Sequence, residues 1–111
     1  MVDRLPSELW IKATLRAWFA EGRYAAVRHK GDPDSGMICL ILDAGMEGCR
    51  VLSLTRDLDG QLAWMPALGP GLHGQEDAEA YIARARGRDP DLWVVEFEDS
   101  GGRNPFEGRE I

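Results

Sequence analysis

Only two cysteines and two histidines occur in this chain of 111 residues. No Cys-x-x-Cys spacing is present, and His29 and His73 stand far apart, so the ligand set of a structural zinc site is missing. A disulfide between Cys39 and Cys49 is not expected in a reducing cytoplasm. Cys39 lies in an apolar run, where a thiol behaves as a small hydrophobe. Long apolar runs are lacking too. The longest, 37–42, falls far short of the roughly 20 residues that a membrane-spanning helix needs, and Met1-Val2-Asp3-Arg4 does not open a secretory signal. Positive charge is also scarce, with 13 Lys and Arg against 19 Asp and Glu, a formal net charge of -6. Nucleic-acid binding depends on clustered cations that displace counterions, so that class is disfavoured. An anionic membrane surface would repel the chain. A cytoplasmic protein with neither nucleic-acid nor membrane partners is the expectation.

What is present is an ordinary folding composition, 44% apolar and 29% charged, in a chain long enough for one core. Pro6, Ser7 as a candidate cap, and Glu8 near the positive end of the dipole open a helix over 9–20 that Gly22 stops. Its inward stripe is Ile11, Leu15, Trp18 and Phe19. Strands are predicted over 24–30, 37–43, 50–56 and 62–65. The second is apolar on both sides, as a central strand is, and Asp59-Gly60 marks a tight hairpin between the last two. After a Gly/Pro-rich loop at 66–74 comes a second helix. Glu76, Asp77 and Glu79 stand at its start, Arg84, Arg86 and Arg88 at its end, and Gly87 is its expected C-terminal cap. Ala78, Tyr81, Ile82 and Ala85 form a narrow stripe suited to an edge of the fold. A last strand, 92–98, turns Trp93, Val95 and Phe97 to one face. The expected fold is a single α+β domain over 1–99, in the order helix-strand-strand-strand-strand-helix-strand. It has an antiparallel sheet of about five strands and two helices mostly on one face. Residues 100–111 read as a frayed polar tail anchored only by Phe106 and Ile111.

Three stretches carry a resemblance: Arg4-Leu5-Pro6 with Leu9-Trp10, Lys30-Gly31-Asp32-Pro33 with Gly36, and Asp89-Pro90-Asp91-Leu92-Trp93-Val94-Val95-Glu96. In this order they resemble the family catalogued as domain of unknown function 1491, small alphaproteobacterial proteins, over nearly the whole chain. The resemblance implies a bacterial, cytoplasmic origin and no assigned activity, cofactor or catalytic residue.

The candidate chemistry begins with three aspartate pairs, Asp32/Asp34, Asp57/Asp59 and Asp89/Asp91. In a meander the first two turns share one end of the sheet, about 10 Å apart, and form an acidic rim where a divalent cation would be sought at Asp32, Asp34, Asp57 and Asp59. Turn chemistry is the stronger reading of each pair, because an aspartate carboxylate bonds backbone N–H groups two residues on. Glu96, Glu98 and Asp99 form a second acidic group, an acid/base pair or simply a polar strand end. His29 has cationic neighbours that favour its neutral form but no nucleophile at a telling spacing. Gly69-Pro70-Gly71 precedes an acidic helix start that would repel phosphate. Trp10 and Trp64 are the tryptophans expected to be partly exposed, and with Arg84 and Arg88 they form a candidate interaction surface. The reading is a non-catalytic interaction or regulatory module without a cofactor, which presents a sheet edge or a tryptophan surface to a protein or to a second copy. The alternative is a small enzyme or ligand-binding protein that uses the acidic rim.

Overall fold

The computed structural model describes residues 5–98 and 103–111. Arg4, and Asp99 to Gly102 of the expected acidic group and tail, lie outside the described residues. Helix α1, Ser7–Ala20, is followed by β1, Ala25–His29, then β2, Ile38–Asp43, then a single 3-10 turn at Gly45–Glu47. Next come β3, Cys49–Arg56, β4, Leu62–Pro66, helix α2, Gln75–Arg88, β5, Trp93–Phe97, and a short β6, Arg109–Glu110. The six strands lie in one sheet in the order β1-β5-β2-β3-β4-β6.

The α+β class holds, but the meander does not. β5 inserts between β1 and β2, antiparallel to the first and parallel to the second. β6 also runs parallel to its neighbour β4, so the sheet is mixed and has six strands rather than about five. The cause is visible in β5 itself. Trp93, Val95 and Phe97 belong to one buried cluster, and Leu92 and Val94 to another, so the strand needs cover on both faces and takes a central place.

The helices lie on opposite faces, contrary to the expectation of one shared face. α1 contributes Ile11 and Trp18 to the cluster containing Ile38, Leu40, Leu42, Leu52 and Trp64. α2 contributes Ala78, Ile82 and Ala85 to the cluster with Cys39, Ile41, Val51 and Val94. The alternation along β2 feeds both clusters. The weakly apolar α2 stripe is therefore no sign of a peripheral helix, since small alanines let it sit close over the central strands. α2 runs through Gly87 to Arg88 and ends at Asp89.

The tail was expected to fray, yet 103–111 packs. Phe106 is buried against Trp10, Trp64 and Phe97, and Trp64 Nε1 donates to the Glu107 carbonyl at 2.9 Å. That segment explains why Trp64 is fully buried instead of exposed. Phe19, assigned to the inward stripe of α1, is 49% exposed.

Candidate functional site

Strand directions put the β1–β2 loop, the β3–β4 turn and the start of β5 at one end of the sheet, so all three aspartate pairs do share an end. The insertion of β5 separates the first two turns by about two and a half strand spacings, about 12 Å. Each turn uses its own carboxylate. Asp32 Oδ2 accepts from Ser35 N at 2.8 Å, Ser35 Oγ at 3.1 Å and Asp34 N at 3.2 Å. Asp57 Oδ1 accepts from Asp59 N and Gln61 N, both at 2.9 Å, while its Oδ2 meets Arg109 Nη2 at 2.9 Å. Asp89 Oδ1 accepts from Asp91 N at 3.1 Å. A cation at Asp32 or Asp57 would compete with these bonds.

The β1–β2 loop does more than turn. Its Pro33 and Asp34 carbonyls accept from Glu8 N and Ser7 N, so the loop caps α1. Ser7, expected as the cap, is instead the first helical residue, buried, with its hydroxyl donating to the Gly36 carbonyl. Asp32 N donates to the Asp91 carbonyl at 3.0 Å, and Trp93 Nε1 donates to the Asp32 carbonyl at 2.7 Å. This junction leaves no room for side chains on two glycines. A Cβ on Gly31 would overlap the Asp91 carbonyl oxygen and stand 2.7 Å from Trp93 Cδ1, and one on Gly36 would stand 2.5 Å from the Asp91 oxygen.

At the opposite end of the sheet, the parallel β2–β5 pairing brings Asp43 to Glu96 and Glu98, with ligand oxygens within 4.8 Å of one another. Asp43 was invisible as a member because its neighbour strand was. Two of the three are already engaged: Asp43 Oδ1 accepts from Gly45 N at 2.8 Å, and Glu96 pairs with Arg28 at 3.1 Å.

The proposed interaction residues do not come together. Trp10 is half-buried against Phe106 and Trp64 on the α1 face. Arg84 and Arg88 are exposed on α2, on the other face, where Arg88 lines a shallow hollow of about 210 Å³ with Met37, Ser53 and Tyr81.

A more coherent surface lies at β1. Among the described residues its only partner strand is β5, so its outer side is an open edge. Glu98 N donates to the Tyr24 carbonyl, and the alternation of an antiparallel ladder then turns the backbone of Ala25 and the N–H of Val27 outward. A bulge between Val27 and His29 sends Arg28 back to Glu79 and Glu96 and keeps the free edge short. Beside the edge, two adjoining hollows of about 350 Å³ each share Lys12 and Leu15. Leu15, Phe19 and the 40% exposed Val27 give them an apolar floor. Lys12, Arg16 and Lys30 rim them. Lys12 and Lys30 share one carboxylate, Glu8, at 3.4 and 3.6 Å, and among the described residues Arg16 has no ion pair.

The sequence model of the family described as Protein of unknown function (DUF1491) matches residues 5–107. The chain belongs to the DUF1491 family. A crystal structure of a DUF1491 family protein from Caulobacter crescentus CB15 is 32% identical, with a TM-score of 0.86 over 97% of this chain and 100% of that one. An NMR structure of a DUF1491 family protein from the same organism gives 32% identity and a TM-score of 0.82 over 96% of each chain. The solution structure of protein Atu0922 from A. tumefaciens gives 27% and 0.72 over 86% of each. No curated protein matches. The three stretches that carried the resemblance, as far as they are described, meet at the junction of α1, the β1–β2 loop and β5.

Titratable groups in this DUF1491 chain follow its hydrogen bonds. Asp32 is held below the usual carboxylate range chiefly by Ser35 N–H, then by the Ser35 hydroxyl and Asp34 N–H; Asp57 chiefly by Gln61 N–H, then by Asp59 N–H and Arg109. His29 is lowered by partial burial first and by Arg86 and Arg28 next, in keeping with the neutral form expected of it. A carboxylate whose folded pKa is depressed stabilises the fold above its unfolded value, and that stability is lost as pH falls through the folded pKa. The melting temperature is therefore expected to drop as pH falls below 3.8, the ordinary aspartate value. Combined Asp32→Asn and Asp57→Asn substitution flattens that drop, as thermal scans across the acid range will show. An equal slope in the variant refutes the assignment.

Proposed function

We propose that this protein is a non-catalytic interaction module whose β1 edge and α1 groove receive an extended, acidic segment of a partner protein. One observation carries the reading: an open strand edge runs directly beside an apolar groove with a cationic rim. An added strand would bond the outward backbone of Ala25 and Val27 while alternate side chains settle on Leu15, Phe19 and Val27. Charge selects the occupant. Among the described residues Lys12, Arg16 and Lys30 outnumber their one carboxylate in a chain of net charge -6, so acidic side chains complement the rim, whereas a second copy would set cation against cation. The buried thiols support a role without nucleophilic chemistry. Desolvation raises Cys49 and pushes Cys39 up to about 12, which keeps both protonated.

The test is a titration of the labelled protein with a short synthetic peptide alternating Glu with Val and Leu. Saturable shifts of the Ala25 and Val27 amide resonances are expected, with binding about tenfold weaker when Lys replaces Glu. Arg16→Glu with Val27→Glu, both at exposed positions, abolishes the shifts while the melting temperature stays near that of the parent. Equal binding of both peptides, or shifts confined to other strands, overturns the proposal. So does a mass in light scattering near twice 12.3 kDa that broadens the same β1 resonances, because the edge would then serve a second copy.

A further inference from the structure

Helix α2 buries one face and leaves the other to solvent. Ala78, Ile82 and Ala85 are buried on the sheet, and Glu79 is drawn sideways to Arg28 at 2.6 Å. The helical repeat then sets Glu76, Asp77, Ala80, Arg84, Gly87 and Arg88 outward, and all six are exposed. Charge is sorted by sign along this face. Both acids stand in the first turn, while Arg84 and Arg88 follow about two and three turns after Asp77. Among the described residues none of these four charges has an ion pair, in contrast to Arg28, Arg50 and Arg109. The helix dipole favours their order, yet Arg84 and Arg88, four residues apart, repel each other with no carboxylate between them.

A face with acid at one end and base at the other complements its own copy turned end for end. A two-fold axis beside Ala80 lies midway between Asp77 and Arg84, about 5 Å from each along the helix. It therefore sets Asp77 opposite Arg84 of a second copy and Arg84 opposite that copy's Asp77, a match of one patch with itself. Nothing bulky stands at the centre. Ala80, Ala83 and Gly87 are small and exposed, so two such helices can approach to about 8 Å, the near end of the packing range. Helix α1 offers no such match, because Lys12 and Arg16 hold the middle of its exposed side and would meet their own sign. The net charge of -6 on each copy repels at long range, but at physiological salt that repulsion is screened beyond about 8 Å while the contact pairs act within it.

We propose that the outer face of α2 pairs two copies of this chain, antiparallel about a two-fold axis beside Ala80, with two reciprocal Asp77–Arg84 ion pairs and with Glu76 and Arg88 flanking them. The contact is one helix wide, so the dimer is reversible rather than permanent. The groove on α1 lies on the opposite face of the sheet, so the pairing leaves the β1 edge of each copy open and gives a particle with two docking sites. The pairing itself does not depend on what that edge binds.

Light scattering over a concentration series tests this. At physiological salt the parent mass is expected to rise from near 12.3 kDa towards twice that value between micromolar and millimolar protein. Asp77→Arg and Arg84→Glu each weaken the pairing by about tenfold or more, because like charges then meet twice across the axis. An equimolar mixture of the two variants restores it, since one contact is then the native pair and the other the same pair with its signs exchanged. Both positions are exposed, so each variant keeps a melting temperature near that of the parent. Ala80→Arg, which sets cation against cation at the centre, is a further disruptive change that leaves the four charges in place. A parent that stays at a single mass up to millimolar concentration, pairing that survives either reversal, or a mixture no heavier than its components overturns the proposal. So does a dimer that broadens the amide resonances of Ala25 and Val27 instead of those along α2.

Discussion

Gly31→Ala is expected to destabilise the protein by more than about 4 kcal/mol, in the range that single substitutions reach only through a definite structural fault. The fault is that the new methyl overlaps a backbone carbonyl, Asp91 O, which no rotamer change can move aside. Relief requires the loop to back away from β5. That motion breaks the Asp32 N bond to Asp91 and the Trp93 Nε1 bond to the Asp32 carbonyl, and it withdraws the carbonyls that cap Ser7 and Glu8. Damage at one residue therefore reaches α1, β1–β2 and β5 together. Gly36→Ala should follow for the same reason. Gly87→Ala is the contrast, since nothing lies within 4 Å of its Cβ and it sits inside α2, so it should stabilise by up to about 1 kcal/mol. Urea midpoints of the three variants check the order. A Gly31→Ala midpoint within error of the parent contradicts the junction described above.

Phe106→Ala should cost about 3–5 kcal/mol and lower the melting temperature by more than about 10 °C. The ring is buried and meets Trp10, Trp64 and Phe97 at 5.2, 5.3 and 5.9 Å between centroids, two of them edge-on. Its removal leaves a cavity walled by large aromatics that cannot close over it, and it loosens the Glu107 carbonyl from Trp64 Nε1. Trp64 is dark to solvent in the parent and should become accessible to acrylamide quenching in the variant. A frayed tail would make the substitution nearly silent, so the two views separate cleanly.

Local chemistry was legible where it depended on neighbours in sequence. The unbroken apolar run around Leu40 announced a strand covered on both faces. Asp59-Gly60 announced a hairpin, though the loop is Leu58 to Gly60 between Asp57 and Gln61 and not the two residues expected, and Ala78, Ile82 and Ala85 announced the buried stripe of α2. The turn role of the aspartate pairs was also readable, since each carboxylate bonds N–H groups close in the chain. Partnerships between distant segments were not. Nothing near Ile38 states that Trp93 will lie beside it, although the two-sided greasiness of 92–97 was a signal for a central strand. That one miss displaced two others: the helix faces and the Asp43–Glu96–Glu98 cluster. The burial of Trp64 escaped for a similar reason, because Phe106 and Glu107 return to it from a stretch rich in glycine and charge.

The place of β5 also sets a timetable for synthesis. Ala25 pairs with Phe97, so among the described residues β1 has no sheet neighbour until β5 has been made, while β2, β3 and β4 can pair as they emerge. The nascent chain must carry β1 unpaired, with the greasy edge of β2 open, until the strand that joins them arrives. Long-range closure of this kind is slow and exposes sticky surface in the meantime. The pairing of β1 is thus a late step of folding, even though this strand precedes the rest of the sheet in the chain.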